Sequence, residues 1–304
     1  TGNLLIIYSS IAIQKEFLRY FDLIAFLQMG LMTIVSVVIP TFNREVLIQR
    51  ALHSVIKQQN VRTEIIVVDD GSTDNTEQVI REKFKSVKYL KKNNAGVSSA
   101  RNIGIKNANG NFIALLDSDD EWERSKLEIQ LKYLRENHTV NLVHCNEKWI
   151  KSGFEIRQKK YHDRRPINLF ERSLRRCLIS PSSVLLRKEL LETVGVFDET
   201  LPACEDYDLW LRILVREEIG YIEDQLITKY GGHTDQLSIQ TRYLDLYRLQ
   251  SLVKLIKSPR LSNTQKMQIE KEIEYKSKII LAGAKKHENY FVINQYNQIL
   301  SNVL

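Results

Sequence analysis

Asp117, Asp119 and Asp120 place three carboxylates within four positions, directly after the apolar run Ile113-Ala114-Leu115-Leu116. A run of that length between turn formers reads as a buried strand of a parallel sheet. In open α/β sheets the ligand crevice lies outside the carboxyl ends of the strands, where these acids would be delivered. Carboxylates this close repel one another and raise each other's pKa unless a cation sits among them. Oxygen-only ligands suit Mg²⁺ or Mn²⁺, and Mg²⁺ is usually held by one or two carboxylates together with substrate phosphates. The chemistry indicated is a cation–diphosphate site. The competing reading is an acidic turn that caps the helix starting near Trp122.

A second strand has the same design. Glu64-Ile65-Ile66-Val67-Val68-Asp69-Asp70-Gly71-Ser72-Thr73-Asp74 is a β-branched run ending in two acids, a glycine turn and a helix start. Ser72 or Asp74 is the expected cap of the helix running from Glu77 to Phe84. A third instance, Val35-Ser36-Val37-Val38-Ile39-Pro40-Thr41-Phe42-Asn43, again runs from strand to turn. Three strand ends of one sheet would then aim polar groups at one crevice.

In this order, VSVVIPTFNRE, EIIVVDDGSTDNT, NNAGVSSARNIGIKNANGNFIALLDSDD and FDETLPACEDYDLWLR resemble the successive motifs of the family 2 glycosyltransferases, inverting enzymes of the GT-A fold. The resemblance covers roughly residues 33–240, and the order and spacing make it specific in aggregate. It implies transfer of a sugar from a nucleotide-sugar donor, usually UDP-linked, to a hydroxyl acceptor with inversion at the anomeric carbon. A role in bacterial-type surface polysaccharide or glycolipid assembly is what the family suggests.

The resemblance also implies residue roles. Asp117 and Asp119 match the D-x-D pair, with Asp119 or Asp120 touching the Mn²⁺ or Mg²⁺ ion and Asp117 on the donor side. Asp69 matches the residue that hydrogen-bonds the uracil ring. Pro40, Thr41 and Asn43 would line the nucleotide pocket, while Asp70 orients the loop and Gly71 allows its turn. Asn94 to Asn102 lead into a helix whose N-terminus offers N–H groups and a positive dipole end to an anionic donor. Arg101 would pair with the diphosphate or brace the acidic turn. Asp206 matches the general-base position, and Glu205 would help bind acceptor or donor sugar; the plainer reading of both acids is helix N-capping. Asp208 and Arg212, one helical turn apart, read as a structural pair. His233, in a glycine-rich loop, matches a residue that can reach the metal or the diphosphate. Trp122 and Trp210 have helical spacing with aliphatic neighbours and read as core.

The elements that must position these residues alternate. Strands are expected at 34–39, 64–68, 87–90, 112–116, 140–145 and 182–187. Helices are expected at 45–58, 74–84, 97–108, 124–136, 188–195 and 206–217. This is the pattern of an α/β protein with a mostly parallel sheet flanked by helices. Beyond about 240 the sequence becomes charged and helical, from Tyr243 to Ile256 and from Asn263 to Ala284, predicting a helical C-terminal appendage. The expected organisation is an N-terminal extension over 1–31, a GT-A domain over 32–240 and a helical region over 241–304. Within the domain, 32–145 forms the nucleotide-sugar half and 146–240 the acceptor half. Residues 1–31 lack the features of a signal peptide and are too polar to span a bilayer. They read as extra, non-catalytic sequence before Met32, or as an amphipathic helix.

Composition narrows the partners. Cys145, Cys177 and Cys204 are odd in number, widely spaced and without zinc spacing, so a reducing cytoplasmic setting is the default. Of the net charge of +7, most arises between Lys151 and Glu192, where eleven Lys or Arg face five acids. A basic face there suits a lipid-linked or glycan acceptor at the anionic inner leaflet, with peripheral membrane contact. No nucleic-acid module accompanies the charge, and none is expected as a partner. A haloacid-dehalogenase-type phosphotransferase also places D-x-D after an apolar strand, but on its first strand. A nucleotide-sugar-binding protein without catalysis is the remaining alternative, against which the intact Asp117, Asp119 and Asp206 set argues.

Overall fold

The computed structural model describes residues 34–232, 241 and 243–301. One nine-stranded sheet organises them, with strand order β3-β2-β1-β4-β8-β6-β9-β5 and β7 paired to β6. The strands are β1 Ile34–Thr41, β2 Arg62–Asp69, β3 Lys88–Lys91, β4 Phe112–Leu115, β5 Glu121–Trp122, β6 Leu142–Lys151, β7 Phe154–Glu155, β8 Val184–Arg187 and β9 Gly220–Gly231. β3, β2, β1 and β4 run parallel, β8 is antiparallel to both β4 and β6, and β9 lies parallel to β6. The helices are α1 Leu47–Ile56, α2 Thr76–Lys83, α3 Val97–Lys106, α4 Lys126–Glu136, α5 Leu169–Arg175, α6 Lys188–Val194 and α7 Glu205–Leu214, then α8 Leu244–Leu255, α9 Asn263–Lys286 and α10 Tyr290–Ser301. The architecture is the expected α/β, mostly parallel sheet flanked by helices.

Both faces of the sheet are buried, which explains the continuous apolar runs. Val37, Ile39, Ile65 and Val67 pack against Ile48 and Leu52 of α1, in a core shared with Leu127 and Leu131 of α4. Val38, Ile66, Val68, Ile113 and Leu115 face the other way, onto Ala100 and Ile105 of α3 and Leu209 and Trp210 of α7. Gly104 lets α3 lie close on the sheet: a Cβ there would stand 2.2 Å from Cγ1 of Val38. Trp122 and Trp210 are both core residues.

The C-terminal helices are anchored to this body. Leu252, Leu255 and Ile269 share a core with Leu174 of α5 and with Tyr207 and Leu211 of α7. A Ser262–Gln265 capping box starts α9. No helix among the described residues is long and apolar enough to cross a membrane.

Four elements depart from the expected pattern. α5 forms inside the basic stretch, which the sequence pattern leaves as loop, because Leu169 and Leu174 find buried partners. β5 and β7, at two residues each, are too short to show a period. β9 carries exposed Glu223, Asp224 and Gln225 where its register against β6 shifts at Cys145–Glu147, so its apolar alternation is broken.

Candidate active site

A cavity of about 560 Å³ opens at the carboxyl ends of β1, β2 and β4 and is closed on its far side by the start of α7. Pro40, Thr41, Phe42 and Arg44 line it from the β1 turn. The Thr41 hydroxyl is buried there without a hydrogen-bond partner. Such a group is costly unless something engages it. Asn43 does not line the cavity. It takes φ +52°, donates its N–H to the Ser72 hydroxyl at 2.8 Å and accepts from the Thr73 N–H at 2.8 Å, knitting the β1 turn to the β2 turn.

The two acids that end β2 separate by face. Asp69 continues the Ile65–Val67 side and is fully buried; it accepts from the Ser72 N–H at 2.7 Å and the Tyr89 hydroxyl at 2.5 Å. Its carboxylate is therefore committed inside the fold and does not line the cavity. Asp70 continues the Val68 side, toward α3, and does line it. It pairs with Lys92 at 2.5 Å and accepts from the N–H groups of Ala95 and Gly96 at 2.9 and 2.8 Å. Those two amides, expected to be open to an anionic ligand, are thus already engaged by Asp70. Gly71, at φ +89°, makes the turn possible; a Cβ there would stand 3.0 Å from the Asn94 nitrogen. Gly71→Ala is expected to cost about 1–3 kcal/mol of stability, read as a lowered melting temperature, with no change if the turn is unstrained.

After β4 the acidic turn is held from three sides. The Asp117 N–H donates to the Ser182 hydroxyl at 3.1 Å, and that hydroxyl donates to Asp120 at 2.6 Å. Arg101, 3% exposed, reaches Asp117 with one terminal nitrogen at 2.7 Å and Glu205 with the other at 2.6 Å. Arg101 thus joins the acidic turn after β4 to the start of α7 across the cavity. Arg50 donates to the Asp119 carbonyl at 2.5 Å.

Charge is crowded here. Burial raises the pKa of Asp117, but the charges of Arg101 and Lys229 bring it below the usual carboxylate range. Burial and the neighbouring Asp117 hold Asp119 above that range. Burial pushes Asp120 up to about 8, with Lys229 opposing and Asp119 and Asp117 adding to the rise. The Lys229 ammonium, on β9, is held charged by Asp120, Glu147, Asp117 and Asp119 against its own desolvation.

At the other wall, Glu205 and Asp206 open α7. Burial raises the Glu205 pKa while Arg101 lowers it. Asp206 lines the cavity and accepts from the N–H of Tyr207 at 2.7 Å. Neither acid makes a side-chain cap hydrogen bond as the N-cap residue; that position is Cys204, at φ +62°. Asp208 and Arg212 pair at 2.9 Å, as their spacing predicts. His233 lies outside the described residues.

The donor set is compatible with a hard divalent cation. Asp117 is engaged by Arg101 and Asp120 by Ser182, while Asp119 lines the cavity with its charge opposed by burial and by Asp117. A cation beside Asp119 would relieve that opposition, with substrate phosphates completing its shell. Among the described residues no group of three or more His, Cys, Asp or Glu is arranged to hold a metal unaided.

Of the expected residues, Pro40, Thr41, Arg101, Asp117, Asp119, Asp120, Glu205 and Asp206 meet at one cavity. Ser182, Lys229, Cys177 and Arg248 belong to its surroundings without having been singled out by pattern. A lysine closing the apolar run Leu226-Ile227-Thr228 is the signal that could have marked Lys229.

Comparisons with known proteins bear on the family and the fold. The profile described as Glycosyl transferase family 2 matches residues 36–195. An uncharacterized glycosyltransferase of Rickettsia conorii is 36% identical over 214 residues, 69% of this chain and 35% of that protein. The chain therefore spans about a third of the length of that relative. The UDP-Glc:alpha-D-GlcNAc-diphosphoundecaprenol beta-1,3-glucosyltransferase WfgD of Escherichia coli is 33% identical over 191 residues, 62% of this chain and 73% of that protein. The crystal structure of S. aureus TarS 1-349 in complex with UDP-GlcNAc superposes with a TM-score of 0.71 at 21% identity, covering 88% of this chain and 80% of that one. The fold is that of the GT-A glycosyltransferases, and the chain belongs to glycosyl transferase family 2.

Proposed function

We propose that this protein transfers a sugar from a nucleoside-diphosphate sugar, UDP-linked, to a hydroxyl acceptor by direct displacement with inversion. The observation that carries the reading is the Arg101 bridge, which places the Asp117 turn and the Glu205–Asp206 pair on opposite walls of one cavity. WfgD, named for a UDP-Glc donor and a lipid-diphosphate acceptor, and TarS bound to UDP-GlcNAc support it.

In this reading the nucleoside lies along Pro40, Thr41 and Asp70, with the orphaned Thr41 hydroxyl satisfied by the ligand. Asp70 takes the base-recognition role that the sequence assigns to Asp69. The Lys229 ammonium brings fixed positive charge near the diphosphate. A Mn²⁺ or Mg²⁺ ion held by Asp119, with Asp120 behind it, would supply further charge for the departing nucleoside diphosphate. Asp206 accepts the proton of the acceptor hydroxyl as its oxygen bonds the anomeric carbon. The bond from that carbon to the diphosphate oxygen breaks, and its electron pair leaves with the nucleotide. The acceptor is a glycan or lipid-linked saccharide, reached from the cytoplasmic face of a membrane.

The test is a thermal-shift series with nucleotides and nucleotide sugars, each with Mn²⁺, Mg²⁺ or EDTA. Ligand binding to the folded state raises the melting temperature by mass action. A metal-dependent rise with UDP or one UDP-sugar is expected, lost in Asp119→Ala and kept in Asp206→Asn. A folded protein that responds to no nucleotide would rule the reading out.

A further inference from the structure

A second cavity, of about 470 Å³, lies beside the first. Its walls come from the basic stretch before and after α5, from α8 and from α9. Five cations line it: Arg164, Arg175, Arg176, Arg248 and Lys276. The fold accounts for three of them. Arg164 pairs with Glu147 at 2.8 Å, Arg175 with Glu272 at 2.8 Å, and buried Lys276 with Asp245 at 3.1 Å. Arg248 has to share Asp245, also at 3.1 Å, and its Nε is buried without a hydrogen-bond partner. Arg176 packs its guanidinium 4.2 Å from the Tyr161 ring centroid, and no carboxylate pairs with it among the described residues. Packing of α8 and α9 onto the core therefore explains the paired cations but leaves two in excess. Both are half-buried, and cations short of counter-charge in a concave site attract an anion. Together with the concave shape, that excess marks an anion site.

The two cavities share a wall. Cys177 and Arg248 line both, and the Cys177 thiol lies against Asp206. Burial and the Asp206 charge raise the Cys177 pKa well above the thiol range, so the wall is a neutral thiol. On the outer side, Tyr275 and Ile279, one turn apart on α9, are 44% and 45% exposed and form an apolar rim.

We propose that this second cavity takes the diphosphate group of the acceptor, so that the saccharide attached to it reaches past Cys177 toward Asp206. The proposal rests on the glycosyl-transfer reading and names its acceptor class: a phosphate-linked saccharide. Arg176 and Arg248 supply the forked donors that match phosphate oxygens. Hydrocarbon attached to the diphosphate would run out over Tyr275 and Ile279.

The experiment is calorimetric titration of the full chain, with Mn²⁺ present throughout, with inorganic pyrophosphate and with farnesyl diphosphate, each with and without saturating UDP. Pyrophosphate is expected to bind whether or not UDP is present. Arg176→Gln should weaken it roughly tenfold to a hundredfold, the value of a lost charge-assisted hydrogen bond, while UDP affinity measured with Mn²⁺ stays unchanged. Arg176 has no acid to orphan, and the UDP competition on the unaltered protein needs no variant. Tighter binding of farnesyl diphosphate than of pyrophosphate assigns the site to a lipid diphosphate. Equal binding assigns it to a water-soluble phosphoester, and both results uphold the site. Absence of pyrophosphate binding, its displacement by UDP, or unchanged affinity in Arg176→Gln overturns the proposal while leaving the donor reading intact. Failure of UDP itself to bind removes the reading beneath it.

Discussion

Arg101→Met is expected to melt on the order of 10 °C lower than the unaltered protein at neutral pH. Arg101 is buried and satisfies two buried or half-buried carboxylates from elements 104 and 16 residues distant in sequence. Removing it leaves Asp117 and Glu205 without counter-charge. Breaking a buried ion pair in that way costs about 3–5 kcal/mol, at ~2–4 °C per kcal/mol for a chain of this size. The penalty carries its own pH signature. Without Arg101, the folded-state pKa of Glu205 rises further above its unfolded value, because burial already raises it. Between those two values the folded state binds more protons than the unfolded state, so the stability of the variant falls as pH rises through the window. The melting-temperature deficit should therefore be smaller at pH 5 than at pH 8. Arg101→Lys should recover only part of the loss, since one ammonium lacks the fork that spans both acids. A deficit independent of pH would mean that packing against Phe197, 5.1 Å from the guanidinium, matters more than charge.

Asp206→Asn is expected to lower kcat by about 10²–10⁴-fold, the usual value of a positioned general base, with the melting temperature within a degree or two. The structural reason is that Asp206 is only partly buried, and its contact from the Tyr207 N–H can be kept by an asparagine oxygen. Donor affinity should survive, because Asp70, Thr41 and Asp119 are untouched. The measurement is single-turnover transfer with a defined nucleotide sugar beside the thermal shift with UDP. A kcat within tenfold of the unaltered protein would remove Asp206 from the base role and leave Glu205 as the next carboxylate to test.

Much of this arrangement is legible in the sequence. The strands leading to Thr41, Asp69 and Asp117 announce themselves as apolar runs, β-branched in the first two, and α1, α3, α7 and α9 show helical spacing close to their observed limits. The gathering of acids at one sheet edge follows from the strand–turn–helix order alone. Which of Asp69 and Asp70 faces the cavity shows where such reading stops. In a strand covered on both sides, Val67 and Val68 are equally apolar, so no alternation tells which of two following acids faces the crevice. In the fold, Asp69 turns to Ser72 and Tyr89, and Asp70 turns to the cavity.

Lys229, Ser182 and Arg248 are a different case. Lys229 arrives on a strand that pairs with β6, Ser182 from a single 3₁₀ turn at Pro181–Ser183, and Arg248 from a helix in the appendage. The sequence determined the family of strands and helices, the clustering of acids at their ends and the basic character of the middle segment, because each is written in local periodicity or composition. Only the tertiary structure decided which acid is buried, which cation neutralises it and which basic residues remain in excess. Those outcomes depend on charges brought within a few ångströms from distant parts of the chain, in an interior where unpaired charge is costly.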